Sequence, residues 1–162
     1  MLSWNNERIK AHLDAILELD GAEVLFGGAP LKNHTIPECY GAWTPTAVFV
    51  PIKHFKTAKK RNLLTTELFG PFQIVTEYTN AQVDTVLDIC ESVPHHLTAA
   101  LVSNDPQFSD HVLGHTVNGT TYNGWRARTT GAPCFISLTA ERMGAAALLE
   151  SRFTSRVELS AT

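Results

Sequence analysis

Leu63–Tyr78 reads LLTTELFGPFQIVTEY, and the Gly70-Pro71 pair in its middle divides it into two pieces of different structure. Glycine and proline break regular backbone, so a forced turn is expected after Thr65-Thr66-Glu67-Leu68-Phe69. Phe72, Ile74, Val75 and Tyr78 then supply the aromatic and β-branched content of a strand. Glu67 stands just ahead of the turn. A carboxylate there offers two acceptor oxygens, a match for the two hydroxyls of a ribose diol. A solvated Glu67 beside a core Phe69 accounts for the same residues without a ligand.

Beyond Tyr78, Asn80 is the expected cap of a helix in which Val83, Val86, Leu87 and Cys90 share one face. Leu97 to Val102 is apolar almost throughout, as a strand buried on both faces would be. Asp105-Pro106 predicts a second helix, with a capping carboxylate and proline at the first position, and Gly114 is its expected end. A brief strand over His115 to Val117 is expected to lead into an Asn118-Gly119 turn.

Before Leu63, Leu2, Ile9, Leu13, Ile16 and Leu17 recur at helical spacing, with Asn5 or Asn6 as cap. Ala22 to Phe26 predicts a short strand stopped by Gly27-Gly28, and a loop rich in turn residues runs to Pro45. Thr46 to Val50 predicts a strand, and His54 to Arg61 a basic, exposed connection. Strands separated by helices argue for an α/β fold with a largely parallel sheet flanked by helices. There is no internal repeat or low-complexity tract.

The composition, 162 residues with 44% hydrophobic and 18% charged, suffices for one globular domain with a modest core. A formal net charge of −3 provides no basic surface for nucleic acid or an anionic membrane, and no apolar run is long enough to span a bilayer. MLSWNNERIK lacks the apolar stretch of a signal peptide, so secretion and use of the sequons at Asn33 and Asn118 are not expected. Three widely spaced cysteines, Cys39, Cys90 and Cys134, form no CxxC pair and fit a reducing compartment.

Glu67-Leu68-Phe69-Gly70-Pro71 resembles a segment of the aldehyde dehydrogenase catalytic domain. Three further stretches resemble its plant-type delta-1-pyrroline-5-carboxylate (L-glutamate γ-semialdehyde) dehydrogenases. They are LFGGAPLKNHTIPECYGA from Leu25 with PTAVFVP from Pro45, LTAALVSND from Leu97, and GHTVNGTTY from Gly114 with RARTTGAP from Arg126. They occur in the family's own order. The resemblance implies a partial aldehyde dehydrogenase catalytic domain over residues 1–133.

From Cys134 the family's Asn-His-Trp-Phe-Gly-Pro run is not recognisable. Residues 134–162 therefore read as a divergent tail, from a frameshift or alternative splicing, within which Thr139 to Ser151 has helical propensity.

In the family, the matching Glu receives the hydroxyls of the nicotinamide ribose of NAD and the matching Phe packs beside it, which implies cofactor contacts for Glu67 and Phe69. Val117-Asn118 resembles a Val-Asn dipeptide that ends a strand near the active site, although an Asn-Gly turn explains it equally. The resemblance places Asn118, Thr120, Arg126 and Arg128 in the substrate region. The two arginines are suited to a substrate carboxylate, and also to a plain solvated surface.

The family's chemistry needs a cysteine thiolate, a glutamate base and a dinucleotide fold, all expected upstream of this chain. No catalytic residue is therefore expected here. Cys39 and Cys134 match no nucleophile motif, Cys90 falls on an apolar helix face, and Pro94 turns His95 and His96 away from it. No glycine-rich strand-to-helix turn is present to hold a pyrophosphate.

His111 and His115 are four apart, but an expected helix end at Gly114 separates them and no Cys or carboxylate stands at a supporting spacing, so no metal is expected. By resemblance the cofactor is NAD and the partner a small-molecule aldehyde, with homo-oligomerisation or docking to a full-length homologue open. The family implies the mitochondrial matrix. No targeting segment is recognisable here, which otherwise indicates the cytoplasm. Three readings follow: part of the enzyme, inactive alone; a non-catalytic interaction module; or a nonproductive translation product.

Overall fold

A computed structural model describes residues 4–68, 70–124 and 127, together with the backbone of 148–152 and 156–161. Two compact units result, one built essentially from the chain up to Thr76 and the other from Glu77 onward.

The first unit begins with α1 (Asn6–Leu17), where the Asn5 side chain accepts the Arg8 N–H at 2.9 Å as the helix cap. Asn6 takes a different role, accepting the Ala42 N–H at 2.8 Å. Ile9, Leu13 and Ile16 recur at helical spacing and are buried, each worth roughly 1.5–3 kcal/mol as a fully buried side chain. Three strands follow. β1 (Glu23–Phe26) runs antiparallel to β2 (Thr46–Phe49), and β2 runs parallel to β3 (Phe72–Tyr78), with Thr46 opposite Phe72. β3 begins immediately after Gly70-Pro71, as expected.

Parallel neighbours require a crossover, and the chain provides one where an exposed connection was expected. His54 to Arg61 falls in a 3₁₀ turn (Ile52–Lys56) and the first half of α2 (Ala58–Thr65), with Lys56 to Lys60 exposed as expected. His54 and Phe55 are buried. The His54 Nε2–H donates to the Asp20 carbonyl at 2.8 Å, Lys60 Nζ reaches its Nδ1 at 3.4 Å, and the Arg61 Nε–H donates to the Phe55 carbonyl at 2.7 Å. Of these contacts the Arg61 one reaches the backbone of the turn itself, and Ala58, Lys59, Lys60, Arg61 and Leu64 are good helix formers.

In the second unit, Thr79 rather than Asn80 starts the helical run. The Thr79 N–H donates to Gln82 Oε1 at 2.8 Å, and Asn80–Gln82 forms a 3₁₀ turn leading into α3 (Val83–Glu91). β4 (Thr98–Val102) buries Ala99, Ala100 and Leu101. The Asp105 carboxylate caps α4 (Pro106–His115), accepting from Gln107 N at 2.9 Å and Phe108 N at 3.3 Å.

The strand expected over His115 to Val117 does not form. His115 remains helical because its Nδ1–H donates to the His111 carbonyl at 2.7 Å, while the Thr116 hydroxyl donates to the Leu113 carbonyl. Sheet pairing starts only after the Asn118-Gly119 bend, where the Gly119 N–H donates to the His96 carbonyl, and β5 (Thr120–Asn123) then lies parallel to β4.

On the other side of β4 lies β6 (Leu148–Arg152), antiparallel to it. The helix expected over Thr139 to Ser151 is therefore replaced by strand from Leu148, the residues before it lying outside those described. The last strand is β7 (Arg156–Ala161). The chain is α/β, with parallel pairing in β2/β3 and β4/β5 and antiparallel pairing at β1 and β6.

Gly27 closes β1 at φ +77°, and a Cβ built there lies 2.0 Å from the Pro45 carbonyl oxygen. Gly27→Ala is expected to destabilise the protein by more than about 1 kcal/mol, read as a lower midpoint in urea denaturation; an unchanged midpoint would refute the close approach.

Candidate functional site

Glu67 is positioned by the way α2 ends. The Thr65 hydroxyl donates to the Arg61 carbonyl at 2.9 Å and the Thr66 hydroxyl to the Asn62 carbonyl at 2.6 Å, which satisfies two carbonyls of the last turn. Thr66 is extended (φ −67°, ψ 123°) and Leu68 is buried, so Glu67 is held half-buried between the helix and the Gly70-Pro71 turn. Phe69, Arg126 and Arg128 lie outside the described residues. Glu67 belongs to the first unit, and Asn118 and Thr120 to the second.

Asn118 is half-buried and lines a shallow concavity with Leu87, Cys90, Glu91, His115, Thr116 and Val117; Thr120 opens β5 and is exposed. On the α3 side the concavity is walled by Leu87 and Cys90, with Glu91 beside them. Burial there pushes the Cys90 thiol up to about 12, and burial followed by the nearness of Cys90 pushes the Tyr78 hydroxyl up to about 12. A thiol so held is protonated at neutral pH and is no nucleophile. Cys39 is exposed, and Cys134 lies outside the described residues.

The residues present fit a dinucleotide only in part. Glu67 supplies the acceptor oxygens a ribose diol needs. Gly27-Gly28 does not supply a phosphate cradle, because the Gly28 N–H already donates to Thr46 Oγ1 at 2.9 Å and the Pro45 carbonyl fills the face of Gly27. No other glycine pair occurs in the sequence.

One contact here was invisible to sequence spacing. Asp84 of α3 places Oδ1 2.8 Å from His111 Nε2 of α4, across 27 residues of chain. Neither residue type nor separation signals such a pair.

No protein-family model matches the chain. It is, however, 53% identical over 134 residues to "Delta-1-pyrroline-5-carboxylate dehydrogenase 12A1, mitochondrial" of Arabidopsis thaliana. It is also 54% identical over 133 residues to a Linum usitatissimum protein named "Probable aldehyde dehydrogenase". The chain belongs to the aldehyde dehydrogenase superfamily. Both matches take in 82% of this chain, which spans 24% of the length of each relative.

Solved aldehyde dehydrogenases share the fold. The glyceraldehyde-3-phosphate dehydrogenase GapN of Methanocaldococcus jannaschii, complexed with NADP, matches with a TM-score of 0.54 at 20% identity, over 72% of this chain and 22% of that one. PnpE of Pseudomonas sp. WBC-3 matches with a TM-score of 0.54 at 19% identity, over 78% of this chain and 24% of that one.

The half-buried Cys90 thiol and the buried Tyr78 phenol set a pH dependence. Their folded values, about 12 each, exceed the ordinary 9.0 and 10.0, so the protonated forms stabilise the fold fully below pH 9 and that stabilisation is lost as pH rises toward 12. Denaturation midpoints of this aldehyde dehydrogenase chain should fall across that window, and less steeply in Cys90→Ala. In the native protein at neutral pH, iodoacetamide should label Cys39 and spare Cys90; rapid labelling of Cys90 would contradict its burial.

Proposed function

We propose that this chain is part of the catalytic domain of an NAD-dependent dehydrogenase that oxidises L-glutamate γ-semialdehyde, the open form of pyrroline-5-carboxylate, to glutamate in proline catabolism in the mitochondrial matrix. The observation that carries the reading is the 53% identity over 134 residues to the Arabidopsis protein of that name. In this reading residues 1–133 are the partial catalytic domain and 134–162 a divergent tail.

When bound, NAD serves as the hydride acceptor. The chain's own contribution is binding and orientation. Glu67 accepts the hydroxyls of the nicotinamide ribose, with Phe69 packed beside it. Arg126 and Arg128 hold the substrate carboxylate through paired N–H donors, near Asn118 and Thr120. Two observations support inactivity of the chain by itself: Cys90 is held protonated, and the described residues include no pyrophosphate cradle.

A second reading, a non-catalytic module that docks on a complete homologue, is favoured by β1. This edge strand exposes Val24, Leu25 and Phe26 at 37%, 48% and 52%.

Incubating the purified chain with NAD and pyrroline-5-carboxylate is expected to yield no NADH. Joined to the N-terminal portion of the Arabidopsis relative, the chain should turn over, and Glu67→Gln in that fusion should raise KM for NAD about tenfold, as loss of a charged hydrogen-bond acceptor implies. Turnover by the chain alone would overturn its proposed inactivity, and an unchanged KM would overturn the role of Glu67. A fusion that folds and stays inactive would favour the docking module.

A further inference from the structure

The helical continuation through His115 removes one of the two reasons for setting aside His111 and His115 as a pair, the expected helix end between them. They stand at i and i+4 on α4, and their rings lie side by side, with centroids 4.6 Å apart and planes 48° apart. Both are exposed.

Each ring has one nitrogen committed. The His111 Nε2–H donates to Asp84 Oδ1 at 2.8 Å, and the His115 Nδ1–H donates to the His111 carbonyl at 2.7 Å. Neutral imidazole carries one N–H and one lone pair, so these bonds fix the tautomers and leave lone pairs on His111 Nδ1 and His115 Nε2. A carboxylate on one ring and a backbone carbonyl on the other are the partners that orient histidines for metal ligation.

We propose that His111 and His115 form a two-histidine site for a borderline divalent cation of the zinc and nickel class, which imidazole nitrogen suits. His111 Nδ1 and His115 Nε2 are the ligands, water completes the coordination, and Asp84 positions the His111 ring from outside. Among the described residues no group of three or more His, Cys, Asp or Glu side chains is arranged to hold a metal, so the site is a two-ligand one. It is independent of the dehydrogenase reading.

The test is calorimetric titration of the untagged full chain with nickel chloride, alongside thermal denaturation. The wild type is expected to take up one equivalent and to melt at higher temperature with nickel present, since the cation bridges one turn of the native helix. His111→Asn and His115→Asn should each abolish that equivalent and the rise in melting temperature. Asp84→Ala should retain binding at about tenfold lower affinity. Circular dichroism of His111→Asn and Asp84→Ala should match the wild type because those side chains are exposed, and His115→Asn should lose at most the last residue of α4, which its ring holds helical. No saturable binding by the wild type, or binding that survives either histidine substitution, as thiol ligation by Cys39 would, overturns the site. Unchanged affinity in Asp84→Ala overturns the positioning role.

Discussion

The first unit depends on what Thr46 does at the start of β2. Its N–H donates to the Pro71 carbonyl at 2.8 Å, which joins β2 to the turn that launches β3. Its hydroxyl accepts the Gly28 N–H at 2.9 Å and donates to the Thr44 carbonyl at 2.8 Å, which ties the end of β1 to the approach of β2. The residue is buried, so water does not compete for these bonds. One residue thus joins a parallel pair through its backbone and closes an antiparallel one through its side chain. Valine, nearly the same shape, would keep the packing and lose the hydroxyl's two bonds.

The placement of Glu67 follows from the same arrangement. Pro71 is held by Thr46, β3 by β2, and the exit of α2 by the hydroxyls of Thr65 and Thr66, so the short segment between them has little freedom. Asn118 is placed by comparable means, between a helix ended by side-chain-to-carbonyl bonds and a strand held by β4.

What the sequence made legible was what local chemistry decides. The Asn5 and Asp105 caps, the Gly70-Pro71 break, the burial of Ala99 to Leu101 and the extent of β3 all follow from residues within a few positions of the feature, whereas Leu97, ahead of the strand, is exposed. The departures arise where a side chain takes a partner that spacing does not announce. His54 to Arg61 keeps its lysines exposed, but His54 is buried with its ring donating to the Asp20 carbonyl. His115 seemed past the helix end, yet its own ring prolongs the helix by taking up a carbonyl. For the candidate site, the residue types were readable and the cofactor and substrate roles rested on resemblance, since a carboxylate ahead of a turn suits a solvated role equally.

The exposed apolar face of β1 has a bearing on how the protein behaves in solution. The strand lies at the edge of its sheet, and its four residues are all exposed, so backbone hydrogen-bonding groups and apolar side chains face outward together. Glu23 places one charge at the start of the strand, and Val24, Leu25 and Phe26 after it carry none. Colloidal solubility rather than folding free energy is then the quantity that sets how concentrated the protein can become. A single charge introduced within Val24–Phe26 acts on that quantity while leaving the buried core of Ile9, Leu13 and Ile16 untouched.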